Sequence, residues 1–288
     1  MRRHIVFLVA VFLFFLNIFC WKEVFALAGH HYLLVDFLDV GQGDSVFIKT
    51  PQGHQILIDG GPDSRVLGKL SSLIPFWDKS IDLVILTHPE SDHMRGLFGV
   101  LKRYKADYIL WTGVKRDTPE YDAWIGVLEK QKKKGAKILI AKSGQQIKAG
   151  GTSIDILFPL ENLAGKEAEK TANSTSIVHR VVYGRKSFLF TGDVGFTEEN
   201  TLANSYELTD LKSDVLKIAH HGSKYSTSNL FLENVKPEFA VIEVGKNSYG
   251  HPTEEVLQRL QNYDIKIFRT DTDKDVQMAS DGKNIIIK

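Results

Sequence analysis

Leu86-Thr87-His88-Pro89-Glu90-Ser91-Asp92-His93 is the stretch whose reading decides the fold. It follows a short apolar run, Ile81 to Leu86, that reads as a buried strand. Two imidazoles and two carboxylates thus reach one strand end within six residues. Neutral nitrogen and anionic oxygen donors on a stiff support are what a divalent metal needs. Further candidates lie downstream: Asp193 in Thr191-Gly192-Asp193, the pair His220-His221, and His251, each following or nearly following its own apolar run. Strand ends that carry such donors to one sheet edge point to a metal-dependent hydrolase.

Outward from this stretch, strands and helices alternate. Tyr32 to Asp39, Ser45 to Lys49 and Gln55 to Asp59 are apolar-alternating runs divided by Gly and Pro. Arg65 to Phe76 has Val66, Leu67, Leu70, Leu73 and Ile74 at helical spacing. Met94–Tyr104 and Glu120–Lys134 are predicted helices, interleaved with strands at Asp107–Trp111 and Ala136–Ala141. The second half predicts strands at 153–158, 176–183, 187–191, 215–219 and 239–244, with helices at 197–204, 229–235 and 254–262. Three short strands, 266–269, 276–279 and 284–287, finish the chain. This mixture implies sheet layers covered by helices, and periodicity alone does not choose among α/β architectures. Asn162 to Ser174 is the loosest segment, and no linker, repeat or low-complexity tract divides the chain. Lys132-Lys133-Lys134 suits a solvated helix end, His179 a strand-packing position, and Trp77, Trp111 and Trp124 the core or its edge.

The first 28 residues read as an address. Arg2 and Arg3 precede an apolar run of about 17 residues, and Ala26-Leu27-Ala28 offers a small-x-small cleavage site before Gly29. A secretory signal peptide is expected, with an uncleaved membrane anchor as the alternative. Cys20 is the only cysteine, so residues 29–288 carry no thiol chemistry. Cleavage would remove three basic residues and one acidic one, taking the net charge from +1 to −1. No global basic excess is available to hold nucleic acid non-specifically.

His88-Pro89-Glu90-Ser91-Asp92-His93 resembles the H-x-H-x-D-H signature of the metallo-β-lactamase superfamily, with Glu90 in place of the middle His. Asp59 resembles the superfamily's early strand-end Asp, Asp193 its bridging carboxylate, and His220-His221-Gly222-Ser223 its last ligand motif. Asp39-Val40-Gly41-Gln42-Gly43-Asp44-Ser45 and Tyr249-Gly250-His251-Pro252 are similar to motifs in the hydrolase domain of ComEC-type competence proteins. The likeness runs from about Tyr32 to the C-terminus, and the channel-forming part of those proteins is absent here. It implies an α/β (α+β) chain folded as a four-layer αββα sandwich over residues 29–288. Phosphoester hydrolysis is the implied chemistry.

The resemblance also implies a site. Two divalent ions, zinc or manganese, would share Asp193. One would take Asp92, His93 and one of His220 and His221, with His221 favoured. The other would take His88 and Glu90, with Asp59 orienting a ligand from behind. The third-motif His of the superfamily is missing, and Asn173-Ser174-Thr175-Ser176 stands in its region. Asn173, Ser176, Asp44 and Ser45 are expected beside the substrate, the glycines around Gln42 allowing close backbone approach to it. Lys224 and His251 are candidates to hold or protonate a phosphate, beside Asp92 and Asp193 in catalysis. Expected substrates are phosphodiesters: DNA, a nucleotide or a cell-envelope phosphodiester. A lactonase or β-lactamase, or a non-catalytic binding module on the same fold, are the competing readings. The membrane is a partner only if the leader stays attached, and no dedicated protein partner is expected.

Overall fold

The computed structural model describes residues 2–27, 32–168, 171–205 and 211–288. The Ala28 end of the proposed cleavage site, Gly29, His30, His31, Glu169 and Lys170 lie outside the described residues. A leading helix, α1 (Arg2–Leu27), contains the apolar window His4–Trp21, of mean hydropathy 2.4, none of it buried.

Next come β1 (Leu33–Phe37), β2 (Val46–Lys49), β3 (Gln55–Ile58), α2 (Arg65–Leu73), β4 (Ser80–Ile85), α3 (Ser91–Arg103), β5 (Lys105–Trp111), α4 (Pro119–Lys133) and β6 (Lys137–Ile140). The second half holds β7 (Gln146–Ala149), β8 (Thr152–Phe158), β9 (Val178–Tyr183), β10 (Lys186–Phe190), α5 (Phe196–Asn204), β11 (Val215–Lys217), α6 (Asn229–Val235) and β12 (Phe239–Ile242). It ends with α7 (Glu254–Asn262), β13 (Lys266–Arg269), the single turn α8 (Thr270–Asp273), β14 (Val276–Ser280) and β15 (Ile285–Ile287).

These strands form two sheets. One has the order β15-β14-β1-β2-β3-β4-β5-β6, the other β13-β12-β11-β10-β9-β8-β7. Strand alternation decides what each sheet buries, because successive side chains face opposite ways. Ile56 and Ile58 of β3 and Leu83 and Ile85 of β4 face the second sheet, meeting Ile154, Ile156, Phe188 and Phe190. Leu57 and Val84, one residue out of step, face the helices α2, α3 and α4 through Leu70, Leu97 and Trp124. Across the molecule, Leu189, Leu216 and Ala240 pack on Phe231, Leu232 and Leu260 of α6 and α7. Three apolar interfaces therefore separate four layers, helix–sheet–sheet–helix.

Both sheets have parallel segments where the site is built. β3-β4-β5-β6 run parallel, as do β10-β11-β12-β13. Their carboxyl ends open toward one edge, the place where α/β sheets bind ligands.

Three expectations need correction. The α2 helix stops at Leu73 rather than Phe76, because Ile74 turns extended (φ −106°, ψ 126°) ahead of Pro75, as a residue before proline is biased to do. Phe76 and Trp77 then fall outside the periodic face, and Trp77 is 71% exposed instead of near-core. Trp111 and Trp124 are buried. A further strand, β7, covers only Gln146-Ile147-Lys148-Ala149, too short for its polar–apolar alternation to stand out; it sits at a sheet edge and pairs with β8 alone. Inside the loose 162–174 segment, Glu167 bridges to Lys115 and Ala172 is fully buried.

Candidate metal centre

Four strand ends supply the centre. Asp59 follows β3 in the left-handed region (φ 56°), fully buried. Its carboxylate accepts from the Thr87 amide at 2.8 Å and the Thr87 hydroxyl at 2.7 Å, and faces His93 Nδ1 at 2.8 Å. The Thr87 hydroxyl has one proton, and Asp59 takes it. His88 Nδ1, 3.0 Å from the same hydroxyl, must then be the donor there, which leaves a lone pair on His88 Nε2. Asp59 fixes His93 in the same sense, and the Glu243 carbonyl fixes His221 through Nδ1 at 2.8 Å.

The three freed Nε2 atoms, and that of His220, converge on one oxygen. His93, His221, His88 and His220 lie 3.4, 3.6, 3.9 and 4.0 Å from Asp193 Oδ2. Asp92 Oδ2 is 3.5 Å from His221 Nε2. Ligand atoms of Asp92, His93, Asp193 and His221 all lie within 4.8 Å of one another. His88 Nε2, His93 Nε2, His221 Nε2 and Asp193 Oδ1 are buried without a hydrogen-bond partner. Orphaned buried donors and acceptors are costly, and three imidazole nitrogens aimed at a carboxylate are the donor set a divalent transition metal satisfies. The residues present therefore fit a metal.

The electrostatics agree. Burial, aided by the His93 charge, pushes His88 down to about 3, so it is a neutral imidazole at physiological pH. Burial opposes charge on His221 as well, but Asp193 and Asp44 outweigh it and raise it to about 10. His93 is raised in the same way by Asp193, Asp44 and Asp59 against burial. Asp92 is lowered despite burial, through its hydrogen bond to His221 and the His93 charge. Protons on His93 and His221 thus compete with a cation for the same nitrogens, and cation binding must release them.

Backbone strain sets the adjacent histidines. His220 (φ 51°, ψ 44°) and His221 (φ 53°, ψ 25°) are both left-handed, at a cost of about 1–2 kcal/mol each for residues with a Cβ. Two consecutive left-handed residues turn both rings toward Asp193 instead of to opposite sides. His221 belongs to the tight four-residue group; His220 lies at its margin, half-exposed, 3.2 Å from Asn173 Nδ2.

Other sequence-derived candidates take different places. Glu90 Oε1 accepts from the Ala172 amide at 2.7 Å and lies 3.1 Å from Arg116 Nη2, so this carboxylate ties down the loop before Asn173. Ser45 is fully buried; its amide donates to Glu243 Oε1 and its hydroxyl to the Asp59 carbonyl. Ser176, also buried, accepts the Asp193 amide on its hydroxyl at 3.0 Å. Asp44 lies behind the site, 3.3 Å from His221 Nδ1. Gly43 (φ 142°) allows a close approach to protein backbone, not to a ligand: a Cβ there would lie 2.1 Å from the Asp92 carbonyl oxygen. His251 and Asn173 line an open cavity of about 320 Å³ over Asp193, together with Gln42 and the exposed Tyr249. Lys224 lines an adjoining hollow, its ammonium 5.2 Å over the Tyr225 ring.

Lys217 and Glu243 escaped the sequence reading, although each interrupts an apolar strand run, 215–219 and 239–244. A charge inside a buried strand is the signal that would have found them.

The comparisons with known proteins agree with this geometry. Residues 38–245 match the family model for the metallo-beta-lactamase superfamily. ComE operon protein 3 of Bacillus subtilis (strain 168) is 33% identical over 262 residues, 84% of this chain and 32% of the relative. Competence protein ComA of Neisseria gonorrhoeae is 33% identical over 234 residues, 81% of this chain and 30% of the relative. The chain thus spans about a third of the curated relatives it matches. Among solved structures, the metallo-beta-lactamase fold protein YhfI from Bacillus subtilis superposes with a TM-score of 0.57 at 12% identity, over 86% of this chain and 99% of that one. Igni18, a metallo hydrolase from Ignicoccus hospitalis, superposes at 0.52 and 16% identity, over 85% and 98%. This chain belongs to the metallo-beta-lactamase superfamily, and its homologues are competence proteins of the ComEC type.

Proposed function

We propose that this member of the metallo-beta-lactamase superfamily is an exported, metal-dependent phosphodiesterase. The observation that carries the reading is the convergence of four histidine Nε2 atoms on one buried oxygen of Asp193, beneath an open polar cavity. Similarity to competence proteins supports a phosphodiester substrate, whether DNA, a nucleotide or an envelope phosphodiester. The apolar α1 is compatible with a signal peptide or an anchor.

Asp92, His93, Asp193 and His221 would hold one divalent ion, and His88 with Asp193 a second, zinc or manganese in either place. Bound divalent ions supply water activation near neutral pH and charge neutralisation at a phosphoryl group. The chain's own work is orientation. Asp59, Thr87 and the Glu243 carbonyl lock three imidazoles with Nε2 outward. His251, half-buried on the cavity wall with its ring 5.5 Å from that of His220, is placed to pass a proton to a leaving oxygen. Lys224, in the hollow that adjoins the cavity, is placed to meet a substrate phosphate as a point charge.

The test is hydrolysis of bis(p-nitrophenyl) phosphate by residues 29–288 with and without manganese, beside Asp193→Ala. Turnover that needs metal and vanishes in the variant supports the reading. Folded, metal-loaded protein that turns over a β-lactam or lactone but no phosphodiester would replace it.

A further inference from the structure

Lys217, at the end of β11, is 2% exposed. Lysine is almost never fully buried unless paired. Its ammonium contacts the Asp44 carboxylate, donates to the Gly192 carbonyl at 3.1 Å and lies 3.9 Å from Asp193 Oδ1. The four histidines approach the other oxygen of Asp193, so Lys217 holds the side facing away from the cavity. Asp44, in turn, stands beneath two metal-facing rings: Oδ1 is 3.3 Å from His221 Nδ1 and Oδ2 is 3.7 Å from His93 Nδ1. Asp44, Asp59 and Glu243 are at most 3% exposed, and Asp193 is 2% exposed. Among the described residues, Lys217 is the one lysine or arginine within 4.0 Å of any of these carboxylates. The imidazoles of His93 and His221 also face these carboxylates, but Lys217 contacts Asp44 directly, and a buried carboxylate that loses its counter-charge has to protonate or open to water.

We propose that Lys217 is an internal counter-cation that assembles the metal ligands before any metal arrives. It pins Asp44 beneath His93 and His221, and its charge, 3.9 Å from the inner oxygen of Asp193, favours the orientation in which the outer oxygen faces the imidazoles. Lys217 reaches neither the cavity nor a substrate, so it is a positioning residue acting through Asp44 and Asp193. The consequence is a site that stays folded when its metal leaves. This rests on the metal-site reading above.

The experiment compares thermal unfolding of the full chain, Lys217→Met and Asp44→Asn/Lys217→Met, each in EDTA and in saturating Mn²⁺. Methionine keeps the length of the side chain and removes its charge. The single variant is expected to melt roughly 5 °C or more below wild type in EDTA. That gap should at least halve in Mn²⁺, because the ion then holds Asp193 and the two imidazoles directly, in place of the protons it displaces. By linkage, Mn²⁺ titration should then show tighter binding by the variant than by wild type. The double variant should recover part of the loss in EDTA, since Asp44, the carboxylate that Lys217 contacts most closely, is no longer left stranded. If the single variant does not fold in EDTA, folding restored by Mn²⁺ carries the same meaning. A deficit equal in EDTA and Mn²⁺, and untouched by Asp44→Asn, would make Lys217 a packing residue and overturn the proposal. Wild-type protein that takes up neither Mn²⁺ nor Zn²⁺ would instead overturn the metal reading.

Discussion

At the scale of single residues, the centre is decided by what the second atom of each ligand touches. Glu90 was expected at the metal because it stands where the superfamily has its middle His. Its carboxylate meets Arg116 and the Ala172 amide instead. Glu90→Gln is therefore expected to keep the wild-type metal content, read by elemental analysis, while losing about 1–3 kcal/mol in urea unfolding. Loss of one metal equivalent would make Glu90 a ligand after all. His179 gives a pH-dependent case. Fully buried and stacked on Phe190 at 5.1 Å, it is pushed by burial from 6.5 to about 4. The unfolded chain takes up this proton below pH 6.5, and the folded chain does so only near pH 4. Stability is therefore full above 6.5 and is lost as pH falls toward 4. Compared with His179→Phe, wild type should lose about 3 kcal/mol more between pH 7 and pH 4. Equal losses in parallel denaturation curves would show that His179 is not the titrating group.

At the scale of elements, the site depends on loops clamped to one another rather than on any single motif. α3 places Asp92 and His93 in its first turn, so they leave β4 already facing the sheet edge. The 41–43 loop closes on the backbone of that turn, which is why Gly43 has no room for a side chain. Gly43→Ala should shift Asp92 away from His221 and weaken metal affinity by roughly 10–100-fold, as disturbing the support of a ligand does. Isothermal titration with Zn²⁺ reads this directly, and unchanged affinity would show that the loop adjusts without moving α3. The same packing explains the elements that were misread. β7 is held by pairing with β8 and by the single apolar contact of Ile147 with the core, and α2 ends where Pro75 follows Ile74.

At the scale of the whole molecule, the two sheets share one apolar core, and each is covered by its own helices. The candidate metal ligands come from both sheets: His88, Asp92 and His93 after strands of the first, with Asp59 behind His93, and Asp193, His220 and His221 after strands of the second. The site can therefore form only when the sheets are packed face to face, and the same interface that stabilises the fold positions the chemistry. α1 contributes none of its apolar window to that packing.

Much of this was legible in the sequence, because local chemistry fixes local structure. Alternation with period 2 and spacing near 3.6 marked most strands and helices, and the His and Asp residues at strand ends announced a metal site before any contact was known. Tertiary structure alone decided which way those residues face. The Thr87 hydroxyl settles the tautomer of His88, two left-handed residues turn both rings of the His220-His221 pair toward Asp193, and Glu90 is drawn off to Arg116. Lys217 is the clearest instance. On the sequence it is a charge in an apolar strand; in the fold it is buried against two distant carboxylates, Asp44 and Asp193. Burial and pairing depend on partners far apart along the chain, and no local pattern records them.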